Sequence, residues 1–316
     1  MTGKVLVLAG PTASGKTRLG IELARRLGGE IISADSMQFY RGMEIGTAAP
    51  TPEELALARH HFVSFLTPDQ SMAAGEYQRR ARAVIREIQA RGGVPVVVGG
   101  SGLYIRALVD GLFEGPPRDQ SVRDRLRREA VEAGNSALFA RLRAVDPGYA
   151  ETLTSENDLV RIVRALEVCE ITGVPFSQWH EGHQFQTDPL EAVWLGLLVE
   201  REALYERIGR RVDAMMAAGW LGEVRRLLDG GYGPHLDRLK ALGFRELTAH
   251  LRGEQSLEAA VEAAKFHHRR YAKRQMTWFR AEKRLHWLDA GDGTVPAEIL
   301  ADRAEEWWRG GDGAAT

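Results

Sequence analysis

The sequence predicts an α/β protein in which a parallel sheet flanked by helices is interrupted by an all-helical segment. Three observations carry this. Short apolar runs rich in β-branched residues alternate with amphipathic stretches, as where Val94-Pro95-Val96-Val97-Val98 follows the helical pattern of Ala73 to Arg91. The run Glu191 to Val199 is almost continuously apolar, which fits a parallel strand covered on both faces. Between about Gly111 and Pro189 the strand signals vanish, and the chain reads as helices separated by Gly and Pro.

In chain order, Lys4 to Ala9 reads as a buried strand and Arg18 to Leu27 as a helix, with Leu19, Leu23, Ala24 and Leu27 at helical spacing. Between them, Gly10-Pro11-Thr12-Ala13-Ser14-Gly15-Lys16-Thr17 fits G-x-x-x-x-G-K-[ST]. Strand, loop and helix in that order mark a phosphate-cradling loop and a P-loop NTPase-like core rather than a Gly-rich turn with a chance lysine. The loop amides and the helix N-terminus would bind a polyphosphate, with Lys16 on its outer phosphates and the Thr17 hydroxyl on Mg²⁺. Glu30 to Ser33 is a second strand, ending at Ala34-Asp35-Ser36. Ligands gather at the carboxyl ends of such strands, which puts Asp35 near the loop. Asp35 reads as a strand-end cap, as an outer partner of Mg²⁺ or as a direct contact to an acceptor substrate, and the last is favoured.

Met37 to Pro52 is irregular, and Val94 to Val98 is the third predicted strand, passing through Gly99-Gly100-Ser101-Gly102-Leu103-Tyr104 into another helix. Many nucleotide hydrolases end such a strand with a Mg²⁺-holding Asp. Here Val98 is followed by two glycines, which disfavours a motor or switch ATPase. The helical segment contains Val122 to Ala133, Ala137 to Val145 and Asp158 to Thr172. Its arginines include Arg123, Arg125, Arg127 and Arg128 on the first helix and Arg161 and Arg164 on the last. The expected division is a core of 1–110 and 190–316 with an insertion of 111–189.

After the strand at Glu191 to Val199, a helix from Arg201 to Ala218 bears Arg207, Arg210 and Arg211. Helices are predicted over Leu221 to Leu228, Asp237 to Leu251 and Ser256 to about Arg284, the last opened by a serine cap. Between Lys265 and Arg284 stand eight Lys or Arg against one acid, Glu282, with Phe266, His267, His268, Tyr271, Trp278 and Phe279 interleaved. This is either a solvated face over an aromatic stripe or an electrostatic footprint for a nucleic-acid backbone, and the one-sided charge favours the second, with Lys273 and Arg274 in it. A short strand at Leu285 to Leu288, a helix from Pro296 to Trp308 and a frayed tail from Arg309 to Thr316 complete the reading.

The composition is that of an ordinary soluble chain: 316 residues, 44% hydrophobic, with a formal net charge of −1. A nucleic-acid surface must therefore be a local patch. One cysteine, Cys169, rules out an internal disulfide framework or a multi-cysteine metal site. No signal region or membrane-length apolar run is evident, so the expected setting is cytoplasmic.

Several strings together resemble the tRNA dimethylallyltransferases, also called tRNA isopentenyl transferases, over most of the chain. They are Gly10 to Thr17, Asp35-Ser36-Met37-Gln38-Phe39-Tyr40, Gly46-Thr47-Ala48, Gly99 to Tyr104, Arg161 to Val168 and Tyr271-Ala272-Lys273-Arg274-Gln275-Met276-Thr277-Trp278-Phe279-Arg280. Ala49 stands where family members often carry a lysine, and Leu242-Gly243-Phe244-Arg245-Glu246 varies a family pattern conservatively. The resemblance implies transfer of a dimethylallyl group from dimethylallyl diphosphate to N6 of the adenosine just 3′ of the anticodon, in tRNAs reading codons that begin with U. It implies Mg²⁺ as cofactor, a monomer, and Asp35, Lys16, Thr17 and Arg211 as the catalytic set. Thr12 and Ser101 would line the site. It assigns to tRNA the residues Asp35, Ser36, Met37, Gln38, Arg123, Leu159, Val160, Arg161, Ile162, Val163 and the stretch Lys240 to Arg245, including Gly243. The alternative is a small-molecule or nucleoside kinase using ATP, which shares the loop and the acceptor Asp but explains neither the basic helix nor the insertion.

Overall fold

Six strands form one sheet in the order β3-β2-β4-β1-β5-β6, every neighbouring pair parallel. They are β1 (Val5–Ala9), β2 (Gly29–Ser33), β3 (His60–His61), β4 (Val94–Gly99), β5 (Ala192–Leu198) and β6 (Leu285–Asp289). The coordinates are a computed structural model, which describes residues 3–111, 116, 118–178 and 189–310. The part of the expected tail beyond 310 lies outside the described residues, as do some residues of the insertion.

β1 sits in the middle of the sheet and is wholly buried, so both of its faces must be apolar. Val5, Val7 and Ala9 join one core with Ile32, Val97, Trp194, Tyr77 and Phe279. Leu6 and Leu8 join the other with Leu19, Leu23, Leu195 and Leu300. The chain leaves β1 through helix α1 (Lys16–Arg26) to β2, skipping the place that β4 fills. That reversal beside β1 is where an open parallel sheet leaves a crevice at its carboxyl edge.

The chain divides into two compact units, Met1–Val109 with Leu190–Thr316, and Asp110–Pro189. The first contains the sheet. The second has four described helices of five residues or more, Gln120–Ala133, Asn135–Val145, Pro147–Glu151 and Leu159–Thr172, around Leu126, Leu138, Leu142, Ile162 and Leu166. Glu167 is fully buried there. It accepts the Asp119 amide at 2.8 Å, two bonds from Arg123 at 2.9 and 2.8 Å and one from Arg164 at 2.9 Å. Burial alone would push its pKa up, but the two guanidinium groups hold it below the ordinary glutamate value.

Two expectations need correction. Asp237 to Leu251 is not one helix but two, Gly233–Leu239 and Phe244–Leu251, because Lys240 (φ 52) and Gly243 (φ 80) both take the left-handed conformation that ends helices. The long basic helix ends at Arg280 rather than at Arg284, as the chain turns toward β6. Three short elements carry no readable period: β3 and the helices Pro52–Leu57 and Pro147–Glu151. No helix among the described residues is long and apolar enough to cross a membrane.

Candidate active site

The loop between β1 and α1 opens onto a cavity of about 1030 Å³. Thr12, Ala13, Gly15, Lys16 and Thr17 line it, whereas Gly10, Pro11 and Ser14 are buried and do not. Gly15 caps α1 with a left-handed φ of 102° and no side-chain cap. The first amides of α1 therefore have no capping side chain, and that is the arrangement that binds anions. Lys16 Nζ donates to the Pro11 carbonyl at 2.6 Å. Desolvation in the cleft lowers the Lys16 pKa to about 7; the Asp35 carboxylate opposes that shift and the Arg211 guanidinium adds to it.

Arg211 projects into the same cavity from the helix Arg201–Ala217 and donates to the Ala48 carbonyl at 3.5 Å. Burial lowers its pKa, with Asp35 and Glu54 opposing, but an arginine stays charged. One turn earlier, Arg207 also lines the cavity and donates to the Ala13 carbonyl at 2.9 Å and to the Gly293 carbonyl at 2.6 Å, so it braces the phosphate loop. Sequence reasoning gave Arg207 no role. Its spacing of four residues from Arg211, which puts both on one helix face, was the available signal.

On the other wall, Asp35 follows β2 and lines the cavity with Gln38. Asp35 Oδ1 accepts the Met37 amide at 3.1 Å. Gln38 accepts from Ser33 Oγ and donates to the Ala48 carbonyl, each at 3.1 Å, so it fixes the wall from inside. Ser36 and Met37 do not line the cavity, nor does Ser101, whose Oγ accepts the Ser36 amide at 3.2 Å. Tyr271 reaches Ser101 and Gln275; burial, and then Asp35, raise its phenol pKa.

The wall segment Gly46-Thr47-Ala48 is anchored by Glu223, another residue not singled out from sequence. Glu223 is 2% exposed and takes the Ile45 and Gly46 amides on its two oxygens, at 2.8 and 2.9 Å. Burial pushes its pKa up, against those two amides. Ala49, where a lysine is frequent, lines the cavity, so the missing charge is missing from the wall itself.

The other expected contacts are dispersed. Lys273 and Arg274 are exposed on the helix Leu257–Arg280, and Arg274 lies over the Tyr271 ring at 5.6 Å. Lys240 and Arg245 are exposed at the break between two helices, whereas Gly243 is buried against Trp220. In the second unit Val160 and Arg161 are exposed, Leu159 is partly so, and Ile162 and Val163 belong to the core. Arg123 is committed to Glu167.

Residues 38–282 match the family model described as IPP transferase. A tRNA dimethylallyltransferase of Syntrophobacter fumaroxidans is 49% identical over 288 residues, covering 91% of this chain and 84% of that protein. One from Geobacillus thermodenitrificans is 46% identical over 310 residues, 98% of this chain and 96% of that protein. Among solved structures, the full-length tRNA isopentenylpyrophosphate transferase of Bacillus halodurans superposes with a TM-score of 0.68 at 37% identity, covering 97% of this chain and 98% of that one. A eukaryotic dimethylallyltransferase acting on tRNA superposes with a TM-score of 0.81 at 26% identity, covering 97% of this chain and 79% of that one.

Proposed function

The chain belongs to the IPP transferase family, and from that premise we propose that it transfers a dimethylallyl group from dimethylallyl diphosphate to N6 of the adenosine 3′-adjacent to the anticodon, in tRNAs reading codons that begin with U. One observation carries the reading: a phosphate loop with Lys16 and Arg211 shares a single cavity with a carboxylate, Asp35, from another strand. A diphosphate leaving group has its partners on one wall, and a base has an acceptor on the other.

N6 of adenine is a poor nucleophile because its lone pair is delocalised into the ring. Asp35, accepting the N6 proton, raises its reactivity as the N6–C1 bond forms and the C1–O bond to diphosphate breaks. The departing oxygens take the electron pair, and Lys16, Arg211 and the loop amides stabilise that growing charge. Ile45, Val63 and Met215 give the cavity an apolar portion suited to the five-carbon group. The adenine must leave its stack to enter, at a cost of roughly a few kcal/mol that contacts elsewhere on the RNA must offset. Lys273, Arg274, Lys240, Arg245 and Arg161 are the exposed cations that supply such contacts.

Mg²⁺ fits the donor set. Thr17 lines the cavity, and among the described residues nothing hydrogen-bonds its hydroxyl. No group of three His, Cys, Asp or Glu among the described residues is placed to hold a metal, so diphosphate oxygens and water would complete the coordination, as Mg²⁺ prefers. Bound there, the ion neutralises charge on the leaving group. The enzyme works as a cytoplasmic monomer in this reading.

The relatives' names support the transferase and not the kinase alternative. The direct test offers unmodified tRNA and Mg²⁺ with either labelled dimethylallyl diphosphate or γ-labelled ATP. Label should pass to tRNA from the prenyl donor; transfer from ATP alone would restore the kinase.

A further inference from the structure

The helix Leu257–Arg280 buries a stripe of Ala260, Ala264, His268, Ala272, Gln275 and Phe279. Within it Gln275, 5% exposed, uses both ends of its amide. Oε1 accepts the Thr12 amide at 2.9 Å, and Nε2 donates to the Gly100 carbonyl at 3.0 Å. An N–H on one side and a C=O on the other leave only one orientation for the group. The approach is so close that a Cβ at Gly100 would stand 2.1 Å from Nε2.

Thr12 belongs to the phosphate loop. Gly100 precedes Ser101, whose amide donates to the Ala34 carbonyl at 3.1 Å and whose Oγ accepts the Ser36 amide at 3.2 Å. A continuous path of bonded groups therefore runs from the loop to the two residues that flank Asp35. We infer that Gln275 is a positioning residue that sets the separation between the diphosphate held by the phosphate loop and the base held at Asp35. The inference rests on the prenyl-transfer reading.

Attack requires the nucleophile within about 3–3.5 Å of the allylic carbon, and a displacement of about 1 Å costs on the order of 10²-fold in rate. An aliphatic residue at 275 would leave the Thr12 N–H and the Gly100 C=O without partners and release the two walls from each other. The loss falls on turnover, because the groups that grip diphosphate and RNA remain.

The test uses the full chain with Mg²⁺, dimethylallyl diphosphate and unmodified tRNA, comparing wild type, Gln275→Leu and Gln275→Glu. Failure of the wild type to transfer the prenyl group would remove the prenyl-transfer reading itself. With wild-type transfer in hand, Gln275→Leu should lose about 10- to 100-fold in kcat while KM for the diphosphate and tRNA affinity move less than about threefold. Gln275→Glu keeps the acceptor for Thr12 and lacks the donor for Gly100 only while ionised. Lys16, Asp35 and Arg211 line the same cavity as position 275, and the Tyr271 phenol that reaches it is held protonated over this range, so dividing by the wild-type kcat removes the titration that both proteins share. The ratio should rise about tenfold from pH 9 to pH 6 as the buried carboxyl takes up a proton. An unchanged kcat in the Leu variant, or a flat ratio in the Glu variant, overturns the inference. If Gln275→Leu does not fold by circular dichroism, the Glu ratio decides alone.

Discussion

The cations of the cleft and those on the outer face of the helix Leu257–Arg280 share a sign and differ in everything else. Lys16, Arg207 and Arg211 are each tied to a backbone carbonyl, of Pro11, Ala13 and Ala48, and desolvation depresses the pKa of all three. Lys273, Arg274 and Arg280 stand exposed, while Lys265 is paired with Asp213 and Glu262. Few fixed charges, partly desolvated in a cleft, recognise one phosphate group at one place and strengthen as charge builds on it. Many exposed charges recognise a backbone wherever it lies and weaken with salt.

The cleft carries the largest expected effects. Asp35→Ala should lower kcat by about 10² to 10⁴ with diphosphate affinity nearly intact, as loss of a general base does; rapid-quench measurement of prenyl transfer checks it, and an unchanged rate removes Asp35 from the chemistry. Arg211→Gln should cost about 10² to 10³ in kcat, the scale for one donor to a developing oxyanion. An effect confined to KM would place Arg211 in ground-state binding instead.

The desolvated Lys16 gives the cleft a pH dependence that the outer face lacks. Lys16 has a pKa of about 7 in the free protein, and a bound diphosphate must raise it. Binding energy from the charged ammonium is then fully present below pH 7 and is lost as pH rises above it, by up to about tenfold in affinity per pH unit. Calorimetry from pH 6 to 9 should show that fall, with proton uptake at pH 8, and Lys16→Met should abolish both. The smallest effect belongs to the outer face. Replacing Lys273 and Arg274 together with Ala should weaken tRNA binding and reduce the slope of log affinity against log salt by roughly 1.5. An unaltered slope would make that face merely solvated.

The sheet and the phosphate loop were legible because both are written locally. Burial on two faces makes Val94 to Val98 and Ala192 to Leu198 continuous apolar runs, and the loop's geometry demands its glycines, lysine and threonine in a fixed order. Pro52–Leu57 and His60–His61 are too short for a period to register, although Thr51-Pro52-Glu53-Glu54 spells the capping box that opens the former. The break after Leu239 hides in Lys240, a residue with no intrinsic preference for the left-handed region it occupies. In the site, Asp35 and Lys16 could be placed from strand ends. Gln275 and Glu223 could not, because their partners lie 175 and 177 residues away at Gly100 and Gly46. A polar residue inside a buried helical stripe was the only local sign of either.

In the proposed reaction one cleft holds an isoprenoid diphosphate on its phosphate loop and an adenine at Asp35. After incubation of the tRNA with dimethylallyl diphosphate and Mg²⁺, one part is digested to nucleosides for their masses and another is cut by a base-specific ribonuclease into oligonucleotides that are sequenced by tandem mass spectrometry. The expected result is a single modified nucleoside, adenosine heavier by one dimethylallyl group on N6, located just 3′ of the anticodon. Unmodified adenosine at that position, with an active preparation that binds the tRNA, would contradict it.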